Sequence, residues 1–374
     1  MRICVLILFL FLFPVAGCVE RYNPPRLEGV ENFLVIDASL DGAKGTGTVV
    51  LRNSSPLHTE LDTTFSTSAT VTVTHENLTT YEFMSLGNGR YFKDNLNLNY
   101  SDKVRLDVTL SDGRSYQSDW VEYKKTPPID SLTWEAKNNE ISFYLYTHDP
   151  DKNSIYYKWD YEETWEFHTP YTQYFIRTGT EVMPNPDVNA TTKCYNFYNS
   201  SNIILATTEK FQNDRIDKFR LATSDMRNNK FFVRYSILAK QRALTKTAYD
   251  YWKSLRLNTE GLGGLFDPQP YAIKSNIKNT SDPSGVVLGY FHVYDEKEMR
   301  IFIMPTELPP FDPITGYEYC EVDTVFLADL ADVGIDVLIE ELFLDDGTLI
   351  GYRKTKLFCA DCRLRGSNVK PDYW

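Results

Sequence analysis

The cysteines are the first residues to question for chemistry. Cys18 follows Val15-Ala16-Gly17. Small residues at the two positions before a cysteine, with an apolar one ahead of them, are what a bacterial lipobox requires. The thiol takes diacylglycerol, and cleavage frees an α-amino group for a further acyl chain. Two or three such chains, at roughly 0.8 kcal/mol per buried methylene, make a nearly permanent anchor. Ahead of the lipobox stand one charge, Arg2, and an apolar run from Ile3 to Phe13. That is the layout of a secretory signal. The run is too short to span a bilayer, which takes about 20 apolar residues. Residues 1–17 are therefore expected to leave as a lipoprotein signal peptide. Residues 18–32, with Pro24-Pro25, are expected to form a lipidated tether. Val19 and Glu20 follow Cys18 where an Asp would favour retention at the inner membrane. The expected location is the outer membrane, on its periplasmic or its cell-surface face.

Cys4 departs with the signal, which leaves Cys194, Cys320, Cys359 and Cys362. Four cysteines in an oxidising compartment are expected to form disulfides, and three connectivities are open. Cys359-Ala360-Asp361-Cys362 also has the spacing of redox and zinc sites. No helix-opening context surrounds it, and the nearest histidine is His292. Structural disulfides are therefore expected, with no metal and no cofactor.

Other catalytic spacings are missing from the chain. There is no H-E-x-x-H, no G-x-S-x-G and no phosphate-binding G-x-x-x-x-G-K-[ST]. Gly261-Leu262-Gly263-Gly264 follows a helical pattern instead of opening one, so it reads as a linker. Asp149-Pro150-Asp151-Lys152-Asn153 resembles the start of a calcium loop, but Ser154 and Asp160 stand where such loops need Gly and Glu. A solvated turn is expected there. Glu162, Glu163 and Glu166 lie beside Trp159 and Trp165. Paired carboxylates near aromatics could suggest glycoside hydrolysis, but an aromatic-rich strand with a polar face explains them as well. Tyr157, Trp159, Trp165 and Tyr171 are the candidate contact surface, with packing between sheets as the alternative. No enzyme is expected. The net charge of −12 argues against nucleic-acid binding, which needs a concentrated basic face.

The elements that would carry these residues are mostly strands. Phe33 to Ile36, Thr48 to Leu51 and Val71 to Thr74 are short apolar or alternating runs. Val104, Leu106, Val108 and Leu110 point one way, Ser111-Asp112-Gly113 turns, and Ser115 to Val121 returns. About seven strands before residue 126 predict an immunoglobulin-like β-sandwich over residues 33–126, without the family's core Trp and paired cysteines. Thr126-Pro127-Pro128 marks a boundary. A larger β-rich domain over 127–374 follows. It contains one helix near 246–257, capped by Thr245, with Ala248, Tyr251, Trp252 and Leu255 on one face. Val286 to Phe291 with Met299 to Met304, and Val337 to Leu344 with Leu349 to Tyr352, are expected as hairpins over Asp295-Glu296-Lys297 and Asp345-Asp346-Gly347. The fold class is mainly β.

Several phrases together carry a resemblance. They are Cys18 with Tyr22 and Pro24, Pro127-Pro128-Ile129-Asp130-Ser131, Tyr156-Tyr157-Lys158-Trp159 and Glu163-Thr164-Trp165-Glu166-Phe167. Further on come Phe266-Asp267-Pro268-Gln269-Pro270, Leu288-Gly289-Tyr290-Phe291, Asp361-Cys362-Arg363 and Pro371-Asp372-Tyr373-Trp374. In this order they resemble the Bacteroidetes lipoprotein family known as domain of unknown function 4249, over nearly the whole mature chain. Tyr195 and Tyr373 depart from it where Trp and Phe are common. The resemblance implies an outer-membrane lipoprotein that partners a TonB-dependent receptor without catalysis. A free-standing structural or adhesive lipoprotein is the alternative, and a hydrolase with an unrecognised site stands behind both.

Overall fold

The computed structural model describes residues 33–54, 68–179, 181–211, 213–260 and 273–374. The signal peptide, the tether and Cys18 lie outside the described residues, as does the Gly261 to Gly264 segment. The chain is mainly β.

Alternation builds the first layers. In Lys103–Leu110, Val104, Leu106, Val108 and Leu110 are buried, while Arg105, Asp107 and Thr109 face outward. This strand pairs with Ala69–His75 and with Ser115–Ser118, across the turn where Gly113 takes a φ of 90°. A second sheet contains Leu34–Asp41, Thr46–Asn53, Arg90–Lys93 and Met84–Gly87. Ile36, Leu40 and Leu51 from this sheet meet Val73 and Leu106 from the first in one core. Burying each such side chain contributes about 1.5–3 kcal/mol.

This sandwich also recruits strands from far along the chain. Val287–Tyr294 runs parallel to Leu34–Asp41 along its full length, and Ile277–Asn279 adds to Ser115–Ser118. Parallel neighbours cannot be joined by a tight turn, and here the crossover takes in residues 42–286. The expected division at residue 126 is therefore corrected, because the sandwich includes strands from the segment assigned to the second domain.

The second body is built around the long strand Tyr156–His168. It pairs with Arg234–Leu244 on one side and with Ile204–Thr207 and Lys193–Asn199 on the other. Glu296–Ile303 adds to Arg234–Leu244. A three-stranded sheet of Ile129–Lys137, Glu140–His148 and Arg215–Asp225 packs over one face, with Phe143, Trp159, Tyr235 and Ile237 between. The expected hairpin over Asp295-Glu296-Lys297 is absent. Its two arms enter different sheets, because Asp295 is fully buried where they part. The other expected hairpin is present as Val337–Phe343 with Leu349–Thr355. It sits in a small sheet with Phe175–Thr178, Glu181–Pro184 and Val322–Phe326. Disulfides Cys194–Cys362 and Cys320–Cys359 hold the adjoining segments, so the two C-x-x-C cysteines bond outward and not to each other.

The helix runs over Lys246–Glu260, three residues beyond the expected end. Its entry is fixed by Thr245, whose Oγ1 accepts from the Ala248 N–H at 3.2 Å.

Gly289 faces Ile36 in the parallel pair, with a φ of +97°. A Cβ there would lie 2.0 Å from the Ile36 carbonyl oxygen. Strained φ and backbone overlap together predict that Gly289→Ala costs about 2–6 kcal/mol. Chemical denaturation checks this, and an unchanged midpoint would show that the Val287–Tyr294 strand does not dock as described.

Candidate functional site

The alternation of the long strand sorts its residues by chemistry. Tyr157, Trp159 and Tyr161 face the core, while Lys158, Asp160 and Glu162 lie on the other face. Register then places Lys158 beside Arg242, and Arg242 beside Glu296. Lys158 Nζ donates to both carboxylate oxygens of Asp160 at 2.6 Å. Arg242 donates to Asp160 Oδ2 at 2.9 Å and, through Nε, to Glu296 Oε2 at 2.8 Å. Lys44, from a turn of the sandwich, reaches Glu296 at 3.2 Å.

The outer face of the sandwich lies over this charged rung. Tyr290, His292 and Tyr294 alternate along one side of their strand, while Phe291 and Val293 pack inward. The helix adds Trp252. The space left between sandwich, sheet and helix is a cavity of about 190 Å³. Lys158, Arg242, Trp252, His292 and Asp37 are among its walls.

Burial pulls the Lys158 ammonium below its usual range, with Asp160 opposing and Arg242 reinforcing. Burial also works against the Arg242 charge, but Glu296 and Asp160 outweigh it and the guanidinium stays firmly cationic. The His292 imidazole is pushed down to about 3, chiefly by burial and further by Lys158 and Arg242. Among the described residues no hydrogen bond reaches its ring, which stacks on Trp252 at 5.1 Å and meets Tyr290 at 4.5 Å. Asp37 stands at the rim, where partial loss of water raises its carboxyl against the pull of Arg52. The walls thus bring together the Lys158 and Arg242 cationic groups, the Asp37 carboxyl and an imidazole of strongly depressed basicity.

The aromatic residues read from the sequence as a contact surface lie elsewhere. Tyr157 and Trp159 are fully buried, and that reading is corrected for both. Odd-numbered positions of this strand face the opposing sheet; there Trp159 stacks on Phe219 at 4.5 Å and donates from Nε1 to Gln241 at 2.8 Å. Trp165 is half-buried beneath Lys230, and Tyr171 is half-buried against the Val337 and Ile339 cluster. The three glutamates are held by neighbours. Glu162 pairs with Lys240, Glu163 with Lys230 and Tyr235, and Glu166 with His168, Lys193 and Trp374. The calcium-like loop is a turn in which Asp149 accepts from the backbone N–H groups of Asp151 and Asn153. Among the described residues no group of three or more His, Cys, Asp or Glu could hold a metal ion.

Sequence reasoning missed the cavity residues. Lys158 sits between Tyr157 and Trp159, and its partner Arg242 is invisible without the register. The helical face of Ala248 and Trp252 was legible, but what it covers was not.

The family model described as Domain of unknown function (DUF4249) matches residues 20–300. The match takes in most of the chain and every cavity residue named above, and the chain belongs to that family. It ends short of the resemblance read over nearly the whole mature sequence. No curated protein matches the chain.

An unfolded histidine takes its proton near 6.5, and His292 in the fold only near 3. Between those values the unfolded state binds more protons, so stability falls as pH drops from about 6.5 to about 3, by an amount of order 3–5 kcal/mol. Thermal melts across that window should show His292→Phe losing less than the wild type. Parallel curves would mean that His292 titrates normally.

Proposed function

We propose that this member of the family is a lipid-anchored outer-membrane protein. On this reading it binds a small ligand without transforming it and serves as an accessory of a TonB-dependent receptor. The observation that carries the reading is the cavity, because the sandwich, the long-strand sheet and the helix all contribute to its walls. A site assembled from several elements is a usual setting for small-molecule binding. Its charged groups are held by partners on the same sheet, an arrangement suited to recognition. Val15-Ala16-Gly17-Cys18 supports the anchor. The receptor partnership rests on the family resemblance, an association of role and not of geometry.

One feature favours the second reading, a free-standing structural or adhesive surface lipoprotein. The sandwich edge strand Met84–Gly87 is exposed along its whole length, with Met84 and Leu86 turned to solvent. Such edges pair readily with other chains.

Gentle detergent capture of the tagged protein from its native membrane distinguishes the two. The expected result is a TonB-dependent receptor in near-equal amount, with Cys18→Ala releasing the protein from the membrane fraction. A membrane-bound protein that brings no receptor would favour the adhesive reading, and a Cys18→Ala protein that stays with the membrane would remove the lipid anchor.

A further inference from the structure

The geometry points to a small organic anion, a carboxylate on a short aliphatic body, as the ligand of the cavity between sandwich and long-strand sheet. The inference rests on reading the chain as a ligand-binding protein and names the ligand's chemistry.

The walls choose the sign of charge. Lys158 and Arg242 line the cavity, while their partners Asp160 and Glu296 do not. The carboxylates that hold the cations therefore lie outside the lining. Asp37 at the rim is the one acidic residue on the wall. Lys158 has three N–H donors. Two are accounted for by Asp160, and the ammonium also lies over the Trp252 ring, so at most one remains for a ligand. The His292 ring, without a hydrogen-bond partner among the described residues, can donate or accept one bond more. Its depressed basicity comes chiefly from burial, with the positive field of the same two cations adding to it.

The walls also choose the body. An incoming cation would seek aromatic faces, but the chain's own cations already cover those of Trp252 and Tyr294. Lys158 Nζ lies 4.7 Å from the centre of the Trp252 ring, and Arg242 lies 4.4 Å from that of Tyr294. His292 stacks on Trp252 as well, so a flat aromatic ligand finds that ring occupied. The remaining apolar wall is the aliphatic set Val121, Leu244, Ala248 and Val293, with Tyr290 packed against Tyr251 and His292. The volume of about 190 Å³ is far more than the roughly 10–15 Å³ that one water needs.

The test is calorimetric titration of the full mature chain carrying Cys18→Ser, which keeps it free of detergent. Three probes of one shape are compared at pH 7: hexanoate, hexanamide and hexylamine. Hexanoate should bind at one site, with hexanamide at least tenfold weaker and hexylamine weaker still. Ala248→Trp, which fills the cavity, should abolish hexanoate binding, and Lys158→Met should weaken it at least tenfold. The comparison among probes on the unsubstituted cavity stands even if either variant fails to fold. Hexylamine or hexanamide binding as well as hexanoate would overturn the anionic assignment and leave a ligand-binding protein. Hexanoate binding undiminished in a folded Ala248→Trp would overturn the location. No binding by any probe would overturn the inference, while receptor capture remains the separate test of the function.

Discussion

A single buried carboxylate holds the parts of this molecule in place. Asp295 is fully excluded from solvent. Leaving such a charge uncompensated costs several kcal/mol, and here every side of it is answered. Its Oδ2 accepts from the Thr126 N–H and the Tyr100 hydroxyl, each at 3.1 Å, and its Oδ1 from Lys297 Nζ at 2.9 Å. Thr126 Oγ1 donates to the Asp295 carbonyl at 2.6 Å and accepts from the Ala243 N–H at 2.9 Å. Asp295, with Thr126, thereby joins a sandwich loop, the link between the bodies and the strand Arg234–Leu244 of the second body. Gln241 secures the same link. Its Nε2 donates to the Pro127 carbonyl at 2.8 Å and to Thr147 at 2.9 Å, while its Oε1 receives the Trp159 N–H.

The cavity follows from that junction. At Asp295 the chain leaves the sandwich and enters the long-strand sheet, so the strands on either side of it bring the two faces together. Tyr290, His292 and Tyr294 come from the strand before it, and Glu296, which holds Arg242 in place, comes from the strand after it. Lys44 closes the same contact from the other side. The charged rung under the cavity is thus continuous with the polar groups that join the bodies, and the site depends on their staying together.

Much of this was legible locally. The Val104 to Leu110 alternation, the Asp-Gly turn and the Thr245 cap each state their own geometry, and four cysteines in a chain expected to be exported pointed to disulfides. Periodicity tells which face of a strand is buried but not which strand lies beside it. Hence the pairing of Leu34–Asp41 with Val287–Tyr294 could not be read. The two runs around Asp295 look like arms of a hairpin because a polar triplet separates them; their pairing with different partner strands shows that they diverge. Tyr157 and Trp159 were misread for a related reason. Aromatic residues with polar neighbours suit an exposed platform or an inner face equally well, and the opposing sheet decides. Lys158, the residue between them, turned out to matter more for the site.

The central claim is that the Asp295 junction makes sandwich and second body one cooperative unit. Differential scanning calorimetry of the wild type and of Asp295→Ala tests it directly. A single transition is expected for the wild type and two separated transitions for the variant, since the bodies lose the group that couples them. Two independent transitions in the wild type, or a variant that melts as one unit at an unchanged temperature, would contradict it.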